Sequence, residues 1–115
     1  RARRQPGRGR CDHGIRIETA VAASCRTVRA LIRGRVQGVW YRGWVVETAA
    51  SLGLDGWVRN CRDGSVEAVF SGASEAVDVM LANCHQGPAS ALVTSVTTSD
   101  QSDPPPPGFV QLPNQ

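Results

Sequence analysis

Val28, Ala30, Ile32, Gly34 and Val36 alternate with Thr27, Arg29, Leu31, Arg33 and Arg35. This period-two pattern, starting at Arg26, predicts a strand with one buried face. The period then lengthens: Val45, Val46, Ala49 and Leu52 fall at helical spacing, and Gly53 supplies a C-terminal stop. Leu54 to Asn60 predicts a second, short strand with Leu54, Gly56 and Val58 on one side. Arg62-Asp63-Gly64-Ser65 forms a turn with Asp-Gly at its centre, and Val66, Ala68 and Phe70 mark the inner face of a third strand. Ser74 is the expected N-cap of a second helix, with Glu75 favoured in the first turn. Val77, Met80, Leu81 and Cys84 make the core stripe of that helix, which Gly87-Pro88 ends. Ala91 to Thr98, rich in Val and Thr, predicts a fourth strand. Pro104 to Pro107 form a stiff extended spacer before a short edge strand at Phe109 to Leu112.

The order is β-α-β-β-α-β plus a short final strand. This places the chain in the α+β class as a ferredoxin-like split βαβ, with two helices on one face of an antiparallel-type sheet. A right-handed crossover returns strand two parallel to strand one, with strand three between them. The C-terminal ends of strands one and two therefore share a sheet edge. The loop after strand one can meet Asn60 there.

Composition narrows the picture. At 115 residues, 41% hydrophobic and 20% charged, the chain suits a single globular domain. No apolar run approaches the roughly 18 residues that span a bilayer, and the N-terminal residues lack the apolar core of a secretory signal. A cytoplasmic location, no membrane partner and a monomer are the expectations. The net charge of +3 is concentrated in one place. Residues 1–25 set six arginines against Asp12 and Glu18, whereas residues 26–115 set seven arginines against eight acids. Residues 1–25 read as a disordered basic arm and 26–115 as the folded domain, with no nucleic-acid groove implied. The fold order is shared with RNA-binding modules, but the central strands lack the aromatic-rich signature of those modules. A nucleotide-binding P-loop is excluded by the missing Gly-Lys-Ser/Thr. Cys11, Cys25, Cys61 and Cys84 form no C-x-x-C pair, so no metal site is expected and idle or buried thiols are the default.

The informative chemistry lies in Gly34-Arg35-Val36-Gln37-Gly38-Val39-Trp40-Tyr41-Arg42. A strand enters it, two glycines permit a tight turn, and a helix leaves with an arginine in its first turn. Helix N-termini carry partial positive charge and unsatisfied N–H groups, so a cation there is disfavoured unless an anion lies between. Free amides and a guanidinium converging on one point describe an oxyanion or phosphate cradle. The bland reading, a plain turn and a surface arginine, is weakened by Asn60 on the matching strand end. Trp40 and Trp44 either line the mouth or pack, and Trp57 packs on the sheet. Asp63 and Glu67 are expected to serve the turn and the exposed strand face. His13 and His85 are expected to face solvent as bystanders.

Gly34 to Arg42, followed by Gly56-Trp-Val-Arg-Asn60 and Asp63-Gly-Ser-Val-Glu67, resembles the acylphosphatase family. Gly87-Pro88 with Ala91, Val93 and Val96, and then Phe109, is similar to that family's later strands. The resemblance spans roughly residues 26–112. It implies a hydrolase that cleaves the carboxyl–phosphate bond of acyl phosphates to carboxylate and inorganic phosphate, with no cofactor and no metal. It further implies that Arg42 binds the phosphoryl group and Asn60 positions the attacking water. The backbone of Gln37, Gly38, Val39, Trp40, Tyr41 and Arg42 would cradle the phosphate, and phosphate or sulfate would bind as a product-like ligand. Tyr41 stands where phenylalanine is common in the family, and Cys61 after the asparagine is a second departure.

Overall fold

The structure, a computed structural model, describes residues 25–115. The arm expected at 1–25, apart from Cys25, and His13 lie outside the described residues. The elements are β1 (Cys25–Arg35), α1 (Tyr41–Ser51), β2 (Asp55–Asn60), β3 (Val66–Ala73), α2 (Ser74–Cys84), β4 (Leu92–Asp100) and β5 (Phe109–Gln111). They form one five-stranded sheet in the order β4-β1-β3-β2-β5. The expected element order and the placement of β3 between β1 and β2 are both present. The sheet is mixed rather than purely antiparallel. β1 pairs antiparallel with β3 and β4, and β2 with β3, but β5 lies parallel to β2. The reason is connection: β4 already ends at the end of the sheet where β2 begins, and the long 101–108 segment crosses that end to the opposite edge, so β5 enters in the direction of β2.

The alternation in β1 buries Val28, Ala30 and Ile32 against the helices. Val58 of β2 and Val66, Ala68 and Phe70 of β3 continue the same layer, met by Tyr41, Val45 and Ala49 of α1 and by Val77, Met80 and Cys84 of α2. Each Val, Ile, Phe or Met side chain among them contributes on the order of 1.5–3 kcal/mol by leaving water. The three-residue strand β5 is pinned by a ring stack, Phe109 on Phe70 at 5.6 Å between centroids. Helix α1 ends as its sequence requires: Gly53, at φ 72, donates to the Ala50 carbonyl, and Leu54 N–H donates to the Ala49 carbonyl. This double bond pattern past a left-handed glycine is the Schellman stop.

Two expectations need correction. Ser74 is the first residue of α2 and Ala73 is its N-cap, with no side-chain cap bond. β3 runs straight into the helix, so no loop residue is left to cap it. Glu67 does not sit on an exposed strand face: it is only 5% exposed. β3 is the central strand, and Arg29 from β1 and Arg59 from β2 lie over Glu67 and pair with its two carboxylate oxygens. Burial alone would raise its pKa, but the hydrogen bonds and charges of the two guanidinium groups outweigh that and hold it below the ordinary value. Asp63 does serve the turn, accepting from the N–H and the hydroxyl of Ser65. Among the described residues no helix is long and apolar enough to cross a membrane.

Candidate active site

The loop between β1 and α1 is shaped by three unusual backbone positions. Gly34 has φ 129 and sits where the β1–β4 register shifts; a Cβ there would come 2.2 Å from the Leu92 carbonyl oxygen. Its glycine is required for close approach to β4, not for the turn itself. Gly38, at φ 78, makes the turn, and a Cβ there would meet no protein atom within 4 Å. The space beside it is open. Trp40 is the N-cap of α1 in the left-handed conformation, φ 65 and ψ 23, with no side-chain cap bond. For a bulky residue this is a strained backbone, of the kind that persists where the surroundings fix it.

The strained cap starts a helix with no acidic residue in its first turn and with Arg42 at its second position. Among the described residues Arg26, Arg29, Arg33 and Arg59 each pair with a carboxylate, whereas Arg42 pairs with none. Its Nη1 donates instead to the neutral Asn114 Oδ1 at 2.9 Å. Val36, Gly38, Trp40, Tyr41, Arg42, Gly43 and Gln111 line a cleft of about 180 Å³. An unneutralised guanidinium, helix-start N–H groups and open space beside a glycine together suit an anion.

The cradle residues divide their tasks. The side chain of Gln37 points away from the cleft and donates to the carbonyls of Cys61 and Ser65, each at 2.8 Å. This pins the loop to the β2–β3 turn, next to Asn60. Tyr41 turns its ring into the core and donates its hydroxyl to the Cys84 carbonyl at 2.7 Å. Only its backbone faces the loop. Burial pushes the phenol pKa far up, so the hydroxyl stays a donor and the departure from phenylalanine is accommodated. Val39 is half-buried against the core. Trp40 is 59% exposed and lines the cleft, while Trp44 packs on Tyr41 at 5.3 Å. Trp57 lies under Arg59, 5.2 Å from ring centroid to guanidinium carbon.

Asn60 ends β2, nearly buried, and does not line the cleft. Its side-chain oxygen is buried without a hydrogen-bond partner. An unpaired buried amide oxygen costs on the order of 1–3 kcal/mol, and such atoms in native folds call for a reason. The backbone carbonyl of Asn60 accepts from Gln115 N–H at 2.9 Å. The structure therefore brings Gly38, Trp40 and Arg42 around one opening and leaves the Gln37 side chain outside it on the Cys61 and Ser65 carbonyls. It links Asn60 to the loop through its neighbour Cys61 and to the 112–115 segment through Gln115. His85 is exposed at the end of α2. Cys61 and Cys84 are free thiols, the latter pushed up to about 12 by burial, and Cys25 is disulfide-bonded.

Sequence reasoning missed Gln111, Asn114 and Gln115. They reach the site because β5 lies beside β2 and residues 112–115 continue along its edge, with Leu112 N–H donating to Val58 and Arg62 N–H to the Gln115 side chain. No local pattern announces a contact between positions 42 and 114.

Comparison with known proteins points in one direction. A family model described as Acylphosphatase matches residues 28–110. An acylphosphatase of Rhodospirillum rubrum is 53% identical over 89 residues, covering 77% of this chain and 98% of the relative. One from Rhizorhabdus wittichii is 49% identical over 85 residues, covering 74% and 86% respectively. Among solved structures, an acylphosphatase from Coxiella burnetii superposes with a TM-score of 0.74 at 28% identity, over 76% of this chain and 93% of that one.

Proposed function

This chain belongs to the acylphosphatase family, hydrolases of acyl phosphates, and from that membership we propose how its own residues carry the reaction. Arg42 binds the phosphoryl group, holding two of its oxygens with a planar fork of donors. Backbone N–H groups between Gln37 and Arg42 bind the remaining oxygen. As the bond to the carboxyl oxygen loosens, these fixed donors stabilise the charge that gathers on phosphorus-bound oxygens. The observation that carries this reading is Arg42 itself, a cation at the positive end of α1 beside an open cleft, with no carboxylate partner among the described residues.

Asn60 positions the attacking water. An amide is no base near neutral pH, but its side-chain oxygen, which no protein donor occupies, can accept a hydrogen bond from a water and so turn that water's lone pair toward phosphorus. The proton passes to a phosphate oxygen of the substrate. No general acid is needed, because the leaving group is a carboxylate whose acid has a pKa of about 4. Drawn this way, the reaction calls on no histidine, metal or cofactor. Phosphate and sulfate, as product-like anions, compete for the same cradle.

The test is steady-state hydrolysis of a small aromatic acyl phosphate. Arg42→Ala is expected to lose activity by on the order of 10²–10³ or more and to weaken inhibition by inorganic phosphate. Asn60→Ala is expected to lower kcat while leaving phosphate inhibition nearly unchanged. Parent-like turnover in both variants would remove the assignment.

A further inference from the structure

Residues 112–115 join the two halves of the site. Asn114 accepts from Arg42 Nη1, and the next residue, Gln115, donates its N–H to the Asn60 carbonyl. The segment is fixed independently of the Asn114 side chain, through Leu112 N–H on Val58 and through the Gln115 side chain on Arg62 N–H. The partner of Arg42 thus stands on an anchored backbone. Its chemistry also matters. Where carboxylates pair with Arg26, Arg29, Arg33 and Arg59, Arg42 meets an amide oxygen. A carboxylate at that distance would orient the guanidinium but cancel its charge, and would repel an incoming anion. An amide oxygen orients it and leaves the charge whole. Engaging Nη1 leaves the edge formed by Nε and Nη2 free for a two-oxygen contact.

We propose that Asn114 is a positioning residue of the active site, a neutral acceptor that fixes the plane of the Arg42 guanidinium for phosphoryl binding. The inference rests on Arg42 being the phosphate ligand. Because that contact holds substrate and transition state alike, loss of Asn114 appears mainly in KM and in the inhibition constant of phosphate, with kcat changed less.

The experiment measures KM, kcat and competitive inhibition by inorganic phosphate for the full chain carrying Asn114→Ala, Asn114→Asp, Arg42→Lys, and Arg42→Lys with Asn114→Ala. For Asn114→Ala, KM and the phosphate inhibition constant are expected to rise together, roughly threefold to tenfold, the net worth of one ordinary hydrogen bond at an exposed site. The thermal midpoint should stay in place, since the contact is exposed. Asn114→Asp keeps an acceptor but adds a charge, so phosphate binds more weakly still, and added salt narrows the gap. In the Arg42→Lys background, whose point charge has no plane to fix, Asn114→Ala should have little further effect. Values within twofold of the parent for Asn114→Ala, or an equal loss in the lysine background, overturn the proposal. If Arg42→Lys alone leaves phosphate inhibition unchanged, the failure belongs to the underlying assignment of Arg42.

Discussion

Two glycines separate what the fold demands from what the chemistry demands. At Gly56, φ is 143 and an added Cβ would lie 1.8 Å from the Val69 carbonyl oxygen. Backbone cannot yield there, so Gly56→Ala should cost on the order of 3 kcal/mol or more, seen as a sharp fall in the urea midpoint. At Gly38 the same substitution meets no protein atom. Only its left-handed backbone penalises it, by about 1–2 kcal/mol. Its main effect should fall on catalysis, lowering kcat/KM by roughly tenfold to a hundredfold through displaced cradle donors. A parent-like kcat/KM in Gly38→Ala would show that this side of the loop faces no substrate. Both glycines stand out in the sequence, yet only the packing of the folded chain divides their roles. A clash with Val69 depends on the neighbouring strand, which no local reading contains.

The strands and helices themselves were legible because each carries its own period: two in β1 and 3.6 in α2, with Gly53 and Asp63-Gly64 as punctuation. What escaped was set between elements. The burial of Glu67 follows from the central place of β3 and from two arginines reaching across it. The cap of α2 was misplaced because β3 leaves no linker. β5 was legible as a short edge strand, but its reach into the cleft was not. Its hold on the sheet is three register pairs and the Phe109–Phe70 stack. Phe109→Ala should therefore loosen β5 selectively, at about 2–3 kcal/mol for a half-buried ring. The expected signature is faster amide exchange in 109–115 than in β1 or β3, together with a raised KM. Uniform acceleration across the whole sheet would mean that β5 is not a separable unit.

At the level of the whole molecule, stability should carry the imprint of the Arg29–Glu67–Arg59 cluster. The folded pKa of Glu67 lies below its ordinary value of 4.5. Its contribution is therefore complete above about pH 4.5 and is lost as pH falls through the folded value. Glu67→Gln should lower the thermal midpoint at pH 7 and flatten its decline between about pH 5 and 3. An unchanged slope would assign the acid sensitivity to other carboxylates such as Asp63, also held low by Ser65 and Arg33. The element order and the cradle could be read from local periods and motifs. The cleft could not, because one of its walls comes from the opposite end of the sequence. Gln111 completes a cavity whose other lining residues lie between 36 and 43, and strand β5 reaches it only by pairing beside β2. During synthesis on a ribosome, a nascent chain that has emerged only as far as β4 already holds Arg42 and Asn60 but still lacks that wall. Competence for turnover should arrive late and abruptly, when the final strand clears the exit tunnel and docks.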